Sequence, residues 1–177
     1  MQENRRVVPT KFAHFVLRCK NFEAMKKWYM TMLEARIQFA NDFLAFLTYD
    51  EEHHRIALIN MPQLPEAGKT AGLDHVAYTY ASLDDLVFTY KRLKAAGILP
   101  VWCVNHGPTI SMYYKDPDGN RVELQIDNFP DVETLNAWFH SGAFEKNPIG
   151  TEYDPDRLVE KFESGTPFSE LIQQGAI

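Results

Sequence analysis

The chain has 177 residues, of which 45% are hydrophobic and 13% aromatic, enough for a globular core, which excludes a disordered polymer. A formal net charge of −6 leaves no basic stripe to follow a phosphate backbone, so nucleic acid is set aside for a small-molecule partner. Cys19 and Cys103 are too few for a disulfide framework or a thiolate zinc site, and MQENRRVVPTKF lacks the apolar run of a signal peptide or membrane anchor, so the chain reads as cytoplasmic.

The first element is FAHFVLR (12–18), whose alternation reads as a strand with Phe12, His14, Val16 and Arg18 on one face. Asn21 is placed to cap a helix running to about Leu33, with Phe22, Met25, Trp28, Tyr29 and Met32 at helical spacing. Three apolar runs follow: ARIQFA, FLAFLTY and HRIALIN. The stretch MPQLPEAGKTAG reads as a linker between two similar units.

The pattern then repeats. GLDHVAYTY (72–80) is a strand, and Ser82 with Asp85 forms a capping box for a helix whose apolar face is Leu83, Leu86, Val87, Tyr90 and Leu93. Gly97 is placed to stop that helix. VWCVN, ISMYYKD and RVELQID supply three strands, the last two joined by DPDGN, which suits a tight reversal. Each half is therefore β-α-β-β-β, an α+β class with modules at about 10–61 and 71–128 in a single domain, 1–128. Residues 129–177 break the pattern and form a C-terminal helical extension, with helical stretches near 131–140, 155–163 and 168–174.

The repeat brings three residues to notice. His14 and His75 stand on the first strand of their modules, and Glu123 on the last strand of the second. Two imidazoles and one carboxylate on neighbouring strands can occupy one face of a divalent metal and leave positions open for other ligands. Taken singly, each has an ordinary structural reading: a strand histidine in a hydrogen bond, or Glu123 on the polar side of a sheet with Arg121 or Lys115.

The segments FAHFVLR, GLDHVAY and YYKDPDGNRVELQ resemble the ligand-bearing strands of the vicinal oxygen chelate superfamily, over about residues 10–128. The resemblance implies two modules forming a cupped mixed sheet around a metal, with His14, His75 and Glu123 as its ligands. It also favours a homo-oligomer. EEHHRIALIN looks like the motif of type I extradiol ring-cleaving dioxygenases in which a histidine pair opens a strand; His54 would be the inward, catalytic member and His53 would meet substrate. Tyr113, ten residues before Glu123, matches an active-site tyrosine of those enzymes that binds substrate and takes part in catalysis. In VNHGPTISMY, His106 stands for a catalytic histidine, but Gly107 and Pro108 leave no acid where the larger enzymes carry one.

The implied activity is ring cleavage of a small aromatic diol with O2, with Fe(II) as metal and Mn(II) as its substitute, since imidazole and carboxylate donors suit both. In that role His54 takes and returns a proton near neutrality. The alternative is a glyoxalase-like lyase or isomerase, in which the metal polarises an oxygen chelate and no oxygen is consumed.

Overall fold

A computed structural model describes residues 7–66, 68 and 71–177. Residues 1–6, and residues 67, 69 and 70 of the expected linker, lie outside the described residues. The chain divides into two compact units, Met1–Ala67 and Gly68–Ile177.

The first unit runs β1 (Phe15–Cys19), α1 (Phe22–Leu33), β2 (Arg36–Ala40), β3 (Leu44–Thr48) and β4 (Ile56–Asn60). Its sheet has the order β1-β4-β3-β2, with β1 parallel to β4 and the other pairs antiparallel. The core lies between α1, through buried Phe22, Met25, Tyr29 and Met32, and the β3 and β4 side chains Ala45, Leu47, Ile56 and Leu58. Edge strand β2 is exposed throughout and slips register between Ile37 and Phe39, a bulge of the kind that spoils an edge for further pairing. Asn21 occupies the N-cap position of α1, but only its carbonyl serves, accepting from the Met25 amide at 2.9 Å; its side chain makes no cap bond.

The second unit repeats the plan with β5 (His75–Thr79), α2 (Leu83–Ala95), β6 (Trp102–Asn105), β7 (Thr109–Lys115) and β8 (Arg121–Asp127). Its sheet order is β5-β8-β7-β6-β9, where β9 is Thr151–Glu152 from further along the chain, again with the first strand parallel to the fourth. The Ser82 half of the expected capping box forms, Ser82 Oγ accepting from the Asp85 amide at 3.1 Å, while the Asp85 carboxylate accepts from the Ser82 hydroxyl at 2.7 Å, a side-chain bond in place of the reciprocal one to the backbone. Gly97, at φ 77°, closes α2, its amide donating to the Lys94 carbonyl and the Ile98 amide to the Leu93 carbonyl.

The chain beyond residue 128 is helical at α3 (Val132–His140), α4 (Ala143–Lys146), α5 (Pro155–Glu163) and α6 (Phe168–Leu171), but it also contributes a strand, β9 (Thr151–Glu152), to the sheet edge at β6. The last helix is shorter than the 168–174 expected because Gln173 and Gln174 leave it at the Ile172 cap. α5 docks on α2 through Asp156, which receives Tyr90 Oη at 2.7 Å and Lys94 Nζ at 2.5 Å; Lys94 first, then Tyr90, holds that carboxyl below its ordinary range. No helix among the described residues is long and apolar enough to cross a membrane.

Candidate active site

The parallel pairing of β5 with β8 sets the geometry of the second unit. His75 opens β5 opposite Arg121, and Ala77 pairs with Glu123, so His75 and Glu123 lie on one sheet face two residues apart in register. His75 Nε2 stands 3.0 Å from Glu123 Oε2, and Glu123 is 4% exposed. Two donors on adjacent positions of an octahedral ion, each at about 2.1 Å, stand about 3.0 Å apart, so this pair fits one edge of a metal's coordination shell. On its other side His75 Nδ1 meets Asp74 Oδ1 at 2.8 Å, and Arg121 holds the same oxygen at 3.2 Å. Asp74 and Glu123 both only accept, so either nitrogen of His75 can donate; with the proton on Nδ1 toward Asp74, the Nε2 lone pair would be available to an ion shared with Glu123.

Antiparallel pairing puts Tyr113 of β7 opposite Glu123 of β8. The tyrosine is 4% exposed; burial, then the Glu123 charge and its hydrogen bond, push its hydroxyl well above the ordinary phenol range. His106 Nε2 lies 3.0 Å from Tyr113 Oη. The Arg121 guanidinium covers the Tyr113 ring at 4.8 Å and the Trp102 ring at 5.6 Å, and Trp102 lies 4.8 Å from Tyr113. This face therefore combines a buried carboxylate, two imidazoles and a phenol with aromatic walls.

The first unit carries the other histidines. His14 precedes β1 by one residue instead of lying on it, because ladder pairing begins at Phe15 with Ile56. His53 and His54 lie on the approach to β4, and the parallel register of β1 and β4 brings His14 beside them. The His14 and His54 ring centroids are 4.1 Å apart, and His53 Nδ1 is 2.6 Å from His54 Nδ1. Nitrogens of His14, His53 and His54 all lie within 4.8 Å of one another, close enough to hold a metal ion. Phe46 stacks flat on His54 at 4.2 Å and 12°. Burial first, then the neighbouring His14 and His53 charges, lower the His54 pKa, which favours the neutral ring.

Residues 11–124 match the family model described as the Glyoxalase/Bleomycin resistance protein/Dioxygenase superfamily. The chain belongs to this superfamily. Two Rhodococcus globerulus proteins, biphenyl-2,3-diol 1,2-dioxygenase 2 and biphenyl-2,3-diol 1,2-dioxygenase 3, are each 44% identical to it, over 91% and 93% of this chain and 86% and 88% of theirs. Among solved structures, the lactoylglutathione lyase of Agrobacterium tumefaciens superposes with a TM-score of 0.54 at 17% identity, over 67% of this chain and 94% of that one, a likeness of fold.

Within this superfamily chain the structure gathers the expected residues into two groups: His14, His53 and His54 in the first unit, and His75, His106, Tyr113 and Glu123 in the second. Asp74, Arg121, Trp102 and Phe46 join them unforeseen. Asp74 had one usable signal, an acid next to a proposed ligand histidine. Phe46 had none, because an aromatic in an apolar strand reads as core. Trp102, in the apolar strand VWCVN, had none for the same reason.

Proposed function

We propose that the chain is an Fe(II)-dependent extradiol dioxygenase, cleaving the ring of a catecholic diol with O2, and that His14, His75 and Glu123 hold the metal, for which Mn(II) can substitute. The observation that carries this reading is the 44% identity with two biphenyl-2,3-diol 1,2-dioxygenases over nine-tenths of the chain. The His75–Glu123 pair supports it: both atoms are donors suited to Fe(II), and their 3.0 Å separation fits adjacent coordination positions. When bound, the metal supplies Lewis acidity toward a diolate and a path for electrons to oxygen.

The chain's own groups then have distinct work. His53 Nε2 lies 3.4 Å from Glu52 Oε1, so a neutral His53 with its proton there leaves Nδ1 to accept from His54 Nδ1–H. His54 Nε2 is thereby the lone pair that takes a diol proton and returns it when the ring opens, a general base and acid. Phe46 keeps that ring in one plane and excludes water from one face of it. Exposed His53 offers its edge to the outer part of the substrate. Tyr113 hydrogen-bonds a substrate oxygen, and Trp102 gives the aromatic ring a flat wall. The 1–128 segment acts as the metal-holding domain, and homo-oligomers are the expected assembly.

The deciding experiment loads the protein anaerobically with Fe(II), adds biphenyl-2,3-diol and monocyclic catechols, and follows O2 uptake with the yellow ring-opened product. Stoichiometric uptake supports the reading. Turnover of any substrate under argon with Zn(II) or Ni(II), and none with oxygen and iron, overturns it in favour of a glyoxalase-like lyase or isomerase.

A further inference from the structure

His106 lacks a neighbouring acid in sequence, yet its ring is held on both nitrogens. Nδ1 lies 2.5 Å from the backbone carbonyl of Ile149, and Nε2 lies 3.0 Å from Tyr113 Oη. A carbonyl can only accept, so the Nδ1 atom must carry the proton, and in the neutral ring Nε2 must then accept. The Tyr113 hydroxyl has a single proton and two acceptors within reach, His106 Nε2 and the Glu123 carboxylate. The partner of His106 Nδ1 therefore decides which acceptor receives it.

That partner comes from the C-terminal chain, and the whole β6–β7 turn is gripped by it. β9 pairs with Val104 and Asn105, and Glu152 accepts from Trp102 Nε1 at 2.7 Å. Asn105 donates to the Ile172 carbonyl at 2.8 Å, and Gln174 donates to the Asn105 carbonyl at 3.2 Å. Trp138 of α3 fills the space over Gly107, where a Cβ would meet its ring at 2.5 Å. These contacts come from four separate points of the C-terminal chain and converge on residues 102–107.

We infer that the chain beyond residue 128 is a working part of the site: the Ile149 carbonyl holds His106 as its Nδ1–H tautomer and thereby draws the Tyr113 hydroxyl proton toward His106 and away from Glu123. His106 is then a positioning residue acting through Tyr113. Two things follow from where that proton goes. Glu123 keeps its lone pairs for the metal, and Tyr113 oxygen presents lone pairs to a substrate hydroxyl, accepting from it. The inference rests on the assignment of Tyr113 and Glu123 to the site.

The test uses the full chain in two measurements. Long-range 15N–1H spectra of histidine-labelled, metal-free protein in mildly alkaline buffer read the His106 tautomer, identified by its loss in His106→Gln. A neutral ring protonated at Nδ1 is the expected result; a ring protonated at Nε2, or at both nitrogens, overturns the inference. In the iron-loaded protein, Gln at position 106 keeps an acceptor near the Nε2 place, whereas Asn keeps only a donor toward Ile149. His106→Gln is expected to retain kcat/KM on biphenyl-2,3-diol and iron affinity within about threefold, and His106→Asn to lose about tenfold in kcat/KM with weaker iron binding, because the Tyr113 proton then falls to Glu123. Equal losses in both variants overturn the positioning role. If no diol is turned over by the unmodified protein, the dioxygenase reading fails, while the tautomer spectrum still decides the clamp.

Discussion

Gly150 lies against the His106 turn, and Gly150→Ala tests how tightly the two are joined. A Cβ at that position would lie 2.3 Å from the Asn105 carbonyl oxygen and 2.7 Å from His106 Cα, both backbone atoms that no rotamer change can move aside. Ordinary contact begins at 3.4 Å, so the two backbones must part by about 1 Å. The glycine also holds φ +103°, a conformation costing an L side chain roughly 1–3 kcal/mol. Parting the backbones strains the two-residue β6–β9 ladder and the Trp102–Glu152 bond, and losing two such bonds adds about 2 kcal/mol. The expected loss is thus about 3–5 kcal/mol, or about 10 °C in Tm for a chain of this size. Urea unfolding followed by tryptophan fluorescence measures it, since Trp102 and Trp138 both lie in the second unit. A loss below about 1 kcal/mol, with the His106 Nδ1 proton still protected, would refute the close apposition.

Three further outcomes are expected. Asp74→Ala should weaken metal binding by about tenfold, the low end for an outer carboxylate on a ligand histidine because Asp74 is 69% exposed; His75→Ala should abolish it, as elemental analysis and titration of the metal-free chain will read. His54→Ala should lower kcat by about 10²–10⁴-fold with bound iron retained, and unchanged turnover would remove His54 from the proton pathway. Asp50, gripped by Arg55, has its carboxyl lowered from 3.8 to about 2. A folded-state value below the unfolded one means this pair stabilises fully above pH 3.8 and loses its contribution as pH falls toward about 2; Asp50→Asn should flatten acid unfolding in that window, and an identical acid slope in both proteins would show that the pair contributes nothing.

The strands, the helices and their buried faces were legible because each is long enough to show its period. Phe22, Met25, Tyr29 and Met32 recur at helical spacing and are all buried, and Leu83, Leu86, Val87, Tyr90 and Leu93 do the same in α2. β9 was not legible, since two residues cannot display alternation. His14 was placed on a strand because side-chain alternation extends past the point where hydrogen bonding starts. Asn21 has the right residue type and position for a cap, but residue type does not fix a rotamer. Asp74, Arg121 and Phe46 act through contacts made by register and by rings that meet across strands, which no single segment encodes. The Ile149 carbonyl is wholly invisible to residue identity, because every residue has one.

The parallel pairing of first and fourth strands also imposes a timetable on synthesis. β5 remains an unpartnered edge until β8 emerges from the ribosome, so the His75–Glu123 pair assembles late, after the α2, β6 and β7 segments have been made. The first unit closes earlier, once Asn60 has been added. The contact on His106 forms later still, because Ile149 is translated after β6, β7 and β8. A nascent chain stalled near residue 128 would thus carry the histidine–carboxylate pair before the Ile149 carbonyl can reach His106.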